Sequence, residues 1–195
     1  NLIPRFYDVT EGGVYVDGHD VREYPLDQLR GKTGVVPQKA VLFHGTLREN
    51  MQWGKKHASD GEIYEALKTA QAFEFVEEKD EGLELYIQAG GKNLSGGQRQ
   101  RLTIARALVR KPEILIMDDS ASALDFATDA RLRKAMKERT QDMTVFIVSQ
   151  RATTVRNADQ IVVLDDGVMA GCGTHKELYE TCEIYREICL SQLSK

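Results

Sequence analysis

Leu94-Ser95-Gly96-Gly97-Gln98, followed one helix later by Ile114-Leu115-Ile116-Met117-Asp118-Asp119, is the part of this 195-residue chain whose reading decides the fold. Ser95 and Gln98 have the spacing of a capping box, in which a serine hydroxyl and a glutamine side chain satisfy first-turn amides. Leu102, Ala105, Leu108 and Val109 recur at helical spacing, so the segment predicts an amphipathic helix that stops before Pro112. A helix start accounts for Ser95 and Gln98 but not for Gly96 and Gly97, which each cost about 1 kcal/mol relative to alanine inside a helix. Bare amides at a helix N-terminus attract anions, and missing side chains let a phosphate come close. Ser95, Gly96, Gly97 and Gln98 therefore read as a phosphate site.

Residues 114–117 form a short apolar run of the kind expected for a strand buried on both faces. The run ends in Asp118 and Asp119, and adjacent like charges are costly there unless a cation or ligand draws on them. One carboxylate holding Mg²⁺ through water, with its neighbour facing an attacking water, accounts for the pair. A helix N-cap accounts for one carboxylate but not both. Residues 14–16, 33–36, 144–148 and 161–164 are further strand candidates, alternating with helices as in a mostly parallel sheet with helices on its faces. The last turns back through Asp165-Asp166-Gly167 into 168–170 as a hairpin. Between Thr46 and Val109 the pattern changes to helices without strands. Ser59 and Glu62 form a second capping box there, followed by Ile63, Ala66, Leu67 and Ala70 at helical spacing. The fold class read from this pattern is α/β. A single domain spans 1–195, with a sheet core from 1–45 and 111–195 and a helical subdomain over 46–110.

The formal net charge of -4 gives no reason to expect nucleic acid as the main partner. Cys172, Cys182 and Cys189 are odd in number and lack metal-ligand spacing, so they read as small buried apolar side chains in a reducing compartment. No apolar run approaches the ~20 residues of a membrane helix, and no signal peptide is visible.

In this order and spacing, the segments resemble ATP-binding cassette (ABC) ATPases across essentially the whole chain. Leu94 to Gln98 matches their signature motif, Ile114 to Asp119 resembles their Walker B strand, and Ser122-Ala123-Leu124-Asp125 their D-loop. Val35-Val36-Pro37-Gln38, followed by Leu42 to Asn50, looks like the Q-loop region of the exporter branch. Asp166-Gly167 and Gly173-Thr174-His175 fall in register as well. The resemblance implies a P-loop-type sheet core, with ATP and Mg²⁺ as cofactors. It also implies a second nucleotide-binding domain and an exporter's transmembrane domains as partners, at the cytoplasmic face of the cell membrane. Ser95, Gly96, Gly97, Gln98 and Asp125 are the implied nucleotide-binding residues, and Asp118 and Gln38 the implied metal holders. Asp119, Gln150 and Gln38 form the implied catalytic set. Gln38, Asp118, Asp119 and Gln150 all follow or close strands, where open parallel sheets bind ligands.

The departures from the family pattern are informative. Gly91-Lys92 has Tyr86 where a P-loop's first glycine belongs and Asn93 where Ser/Thr belongs, so it fails as a P-loop. The expectation is a chain that begins just downstream of its P-loop and binds ATP weakly or not at all alone. Asp119 stands where the family usually has glutamate, one methylene longer, and general-base geometry tolerates little displacement. Gln150 replaces the family's histidine and carries neither proton nor positive charge. Gln88-Ala89-Gly90 differs from the Gly-Glu-Arg common ahead of the signature. Residues serving the chain's own site are altered while the lent signature is intact. This resembles the degenerate half of a heterodimeric exporter, whose partner is non-identical. A soluble ABC ATPase of repair or translation and a non-catalytic nucleotide-dependent interaction module are the alternatives. The exporter-like segment from Phe43 to Asn50 and the acidic charge disfavour the first. Retained Asp118 and the intact signature disfavour the second.

Overall fold

Buried apolar runs and side-chain caps position the elements of the computed structural model, which describes residues 1–120, 124–139 and 142–193. In chain order these are β1 (Tyr15–Val16), β2 (His19–Asp20), α1 (Leu26–Lys32), β3 (Thr33–Val36), β4 (Gly45–Thr46), α2 (Leu47–Gln52), α3 (Asp60–Thr69) and α4 (Phe73–Glu77). Next come β5 (Tyr86–Ile87), α5 (Gly96–Leu108), β6 (Ile114–Asp118), α6 (Phe126–Arg139), β7 (Thr144–Val148) and α7 (Ala152–Val155). The chain closes with β8 (Ile161–Asp165), β9 (Val168–Gly173), α8 (His175–Thr181) and α9 (Glu183–Leu193). Two compact units emerge, Asn1–Phe146 and Ile147–Lys195.

The frame of the first unit is the sheet order β3-β6-β7. β3 and β6 run parallel, with Thr33 opposite Ile114 and Val36 opposite Met117. Leu115, Ile116 and Met117 are all buried, as the unbroken apolar run requires of a strand covered on both faces. α5 packs beneath this pair through Leu102, Ile104, Ala105 and Leu108. Gly34 permits the close approach, because a Cβ there would stand 2.9 Å from Pro112 Cγ and 3.1 Å from the Ala107 carbonyl. The same core continues into the helical stretch through Leu47, Met51, Ile63 and Leu67. α3 begins at Ser59, whose hydroxyl accepts from the Glu62 amide while the Glu62 carboxylate accepts from the Ser59 amide. Sheet and helices thus share one apolar interior.

One expectation needs correcting here. The stretch 46–109 is not free of strands, since β4 and β5 pair antiparallel, with Gly45 opposite Ile87 and Thr46 opposite Tyr86. Strands of two residues are too short to show a period-two pattern, so periodicity missed them.

In the second unit β8 and β9 form the hairpin expected at Asp165-Asp166-Gly167, with an irregularity between Val163 and Leu164. Ile161 and Val163 pack against Leu178, Cys182, Tyr185 and Cys189. Cys182 and Cys189 are buried, but Cys172 is exposed, because it lies on the β9 face turned away from that cluster. All three are free thiols.

Candidate nucleotide site

The N-terminus of α5 takes the form the sequence predicts. Ser95 Oγ accepts from the Gln98 amide at 3.2 Å, and Gln98 Oε1 accepts from the Ser95 amide at 2.9 Å. These bonds use acceptors only. The Ser95 hydroxyl proton and the Gln98 carboxamide hydrogens remain as donors, beside the amides of Gly96 and Gly97. Ser95 and Gly96 are exposed and the first turn holds no acidic residue. By contrast, the capping boxes of α2, α3 and α8 close with Glu49, Glu62 and Glu177. This helix start presents donors and positive dipole with no local anion to satisfy them, the condition for taking up a phosphate.

A second cluster forms at the carboxyl ends of β3 and β6. Gln38 follows β3, and its Nε2 lies 3.5 Å from Asp119 Oδ2, at the long end of hydrogen bonding. Asp119 has a backbone φ of 42°, in the left-handed region that aspartate enters more readily than most residues. Asp118 closes β6, is exposed, and makes no hydrogen bond or ion pair among the described residues. The two carboxylates therefore point to different tasks. Asp119 faces an amide donor, and the Asp118 side chain has no partner among the described residues.

The remaining candidates are placed as follows. Asp125 caps α6: one carboxylate oxygen accepts from the Thr128 amide at 2.9 Å, the other from the Thr128 hydroxyl at 2.7 Å. These bonds hold its carboxyl below the ordinary aspartate range. Ser122 and Ala123 of the D-loop segment lie outside the described residues. Gln150 lies in the second unit, exposed, with its carbonyl accepting from Gln192 Nε2 at 2.7 Å. Gly31-Lys32-Thr33 carries the last three residue types of a P-loop, a likeness the sequence reading passed over. It runs from helix into strand, the reverse of a P-loop, and Lys32 Nζ is paired with Glu113 at 2.7 Å and Asp17 at 2.9 Å.

Side chains that the motifs do not name shape the surroundings. Arg99 reaches back from α5 to the turn before it, bonding the Leu94 carbonyl at 2.7 Å. A cation four residues after a serine cap, where an acid suits the helix, was the available signal. On another surface Phe43 and Trp53 pack at a tilt of 39° with ring centroids 5.0 Å apart, and the Arg106 guanidinium lies 5.3 Å from the Phe43 ring centroid. Arg106 donates to the Val41 carbonyl at 2.9 Å, and burial lowers its pKa. Phe43 is 44% and Trp53 69% exposed, so this aromatic pair is open to solvent. Phe43 was singled out by the sequence and Trp53 was not, although it is the chain's one tryptophan.

Residues 1–122 match the sequence profile described as ABC transporter. An uncharacterized ABC transporter ATP-binding protein of Bacillus subtilis, YfiB, is 45% identical over 194 residues, covering 100% of this chain and 34% of its own length. YgaD of the same organism, a putative multidrug export ATP-binding/permease protein, is 43% identical over 188 residues, covering 96% of this chain and 32% of itself. Among solved structures, a bacterial Atm1-family ABC exporter with ATP bound superposes with a TM-score of 0.94 at 36% identity. That match covers 98% of this chain and 34% of the exporter chain. The chain thus spans about a third of the length of the relatives it matches.

Proposed function

We propose that this chain, which belongs to the ABC transporter family, is the nucleotide-binding part of an exporter. It would couple ATP binding and hydrolysis at an interface between two such domains to transport through transmembrane segments. The observation that carries this reading is the 3.5 Å approach of Gln38 to Asp119 from the ends of neighbouring parallel strands. In open α/β sheets, that end of the strands is where ligands and their catalytic groups meet.

The roles divide by chemistry. Asp119 accepts a proton from, or orients, the attacking water, and Gln38 holds its carboxylate in place. Being one methylene shorter than glutamate, Asp119 stands back from the water and turns over slowly. Gln150 hydrogen-bonds the γ-phosphate without bringing charge. Asp118 is exposed and has no side-chain partner among the described residues, and with the Gln38 carboxamide oxygen it offers the hard oxygen donors that suit Mg²⁺. Mg²⁺ takes few protein ligands and completes its shell with water and phosphate, so two donors fit it. When bound, the ion neutralises charge on the phosphates. Ser95, Gly96, Gly97 and Gln98 are lent to the site of a second, non-identical nucleotide-binding domain, and Asp125 fixes the chain entering α6 beside that interface. The stretch 46–110 serves as a helical subdomain that carries this segment. The exposed Phe43–Trp53 pair receives the transmembrane part, and the domain works at the cytoplasmic face of the membrane.

The test uses the full-length protein assembled with its partner. Ser95→Arg abolishes most ATPase activity, because it obstructs the partner's competent site, whereas Asp119→Asn removes only the slow contribution of the chain's own site. Equal and severe loss from both variants would overturn the asymmetric assignment.

A further inference from the structure

The turn leading into α5 is tied to the helix by one side chain. Arg99 Nη1 donates to the Leu94 carbonyl at 2.7 Å and to the Gly91 carbonyl at 3.4 Å. Gly90 and Gly91 both have positive φ, 72° and 67°, which lets the turn present these carbonyls to the guanidinium. The fit around Gly91 is close, since a Cβ there would stand 2.7 Å from Arg99 Cδ. Asn93 holds the other side of the turn: its Oδ1 accepts from the Gln88 amide at 3.0 Å and its Nδ2 donates to the Tyr86 carbonyl at 2.8 Å. The guanidinium also borders the glycine pair, because an ideal Cβ on Gly96 would lie 3.9 Å from Arg99 Nη2.

The charge stands where the helix N-terminus makes it costly. A cation beside a helix N-terminus opposes the helix dipole, and no acid in the first turn of α5 offsets it. Its charge-assisted bonds to the two carbonyls offset that penalty within the turn. The arrangement becomes favourable when an anion is seated on the same amides.

We propose that Arg99 is a positioning residue for ATP hydrolysis, clamping the Gly91–Leu94 turn so that Ser95 and Gly96 meet the γ-phosphate in fixed geometry. This rests on the reading that α5 receives that phosphate. Preorganised donors act on charge that develops in the transition state, so loosening them lowers turnover more than nucleotide affinity.

The experiment measures steady-state ATPase and thermal unfolding of the full-length protein with its partner, for Arg99→Met, Arg99→Lys and Ser95→Asp. Arg99→Met, which has no donor, loses about tenfold in kcat, the scale of one hydrogen bond to a charged group. Arg99→Lys reaches one carbonyl and loses about threefold. The half-saturating ATP concentration moves less than about threefold in both, and the unfolding midpoint only slightly. Turnover within about twofold of the parent in a folded Arg99→Met overturns the inference. If the methionine variant does not fold, Arg99→Lys decides alone, and parental turnover in it overturns the inference. Ser95→Asp separates the two layers: full ATPase activity there brings down the phosphate reading itself, whereas a dead Ser95→Asp beside an active Arg99→Met brings down only the role of Arg99.

Discussion

Ser95→Asp distinguishes a helix cap from a phosphate site, because aspartate serves the first as well as serine and is hostile to the second. Asp and Ser are about equally good N-caps, so the bond to the Gln98 amide, 3.2 Å in the parent, is replaced by an equivalent one. A carboxylate at this position also gains about 0.3–1 kcal/mol from the helix dipole. No other acid occupies the first turn, so nothing repels it. Folding stability is therefore unchanged or slightly raised. A phosphate on the same amides would meet a negative charge about 4 Å away, costing roughly 4 kcal/mol at an effective dielectric near 20. That amounts to about a thousandfold in rate. Ser95→Ala is the comparator: losing the cap costs about 1 kcal/mol, or roughly 2–4 °C in the unfolding midpoint of a chain this size. The assay pairs thermal unfolding with ATPase turnover in the full-length assembly. A Ser95→Asp protein that unfolds at or above the parental temperature and hydrolyses ATP within about tenfold of the parental rate would refute the assignment of these residues to phosphate.

Asp119→Glu places a longer side chain on a backbone at φ 42°, so it gains reach toward the water at the cost of some strain, and ATPase turnover of the assembly changes by less than about fivefold. Gly54→Ala drives a Cβ to 2.0 Å from the Arg106 carbonyl, a backbone atom in α5 that has no rotamer to escape into. Destabilisation of about 1–3 kcal/mol follows, and an unchanged unfolding midpoint would show that the α2–α5 packing is misdescribed. Glu62 is held at a pKa of about 2, first by its bond to Lys55 and then by the Ser59 amide. A carboxyl depressed in the folded state contributes stability above its unfolded pKa, and that contribution is lost as pH falls through the folded value. Acid titration of Glu62→Gln therefore shows a shallower loss of stability between about pH 4 and about 2 than the parent.

Much of the architecture was legible because burial writes itself into periodicity. The unbroken run 114–117 gave a strand covered on both faces, and the capping boxes at Ser59 and Ser95 gave helix starts that the structure places at those residues. The β4–β5 ribbon was illegible, since two residues per strand carry no period and its pairing spans some forty positions of chain. The exposure of Cys172 was illegible for a related reason. A cysteine's burial depends on which face of β9 meets α8 and α9, and composition does not record the face.

At the candidate site, sequence by itself determined which residue types are present: glycines and a serine cap at a helix start, two carboxylates at a strand end, and a glutamine after a neighbouring strand. Their spacing along the chain is a local property, so the motifs could be read one at a time. Tertiary structure decided how they are used. The parallel register of β3 and β6 brings Gln38 to Asp119 across eighty-one positions of chain and leaves the Asp118 side chain without a partner among the described residues. Asp125 is spent on the α6 cap. Arg99, an ordinary surface cation in the sequence, folds back onto two carbonyls, because left-handed glycines turn those carbonyls toward it. Such assignments depend on distances across the fold, which are set by packing of the shared core and leave no trace in the order of residues.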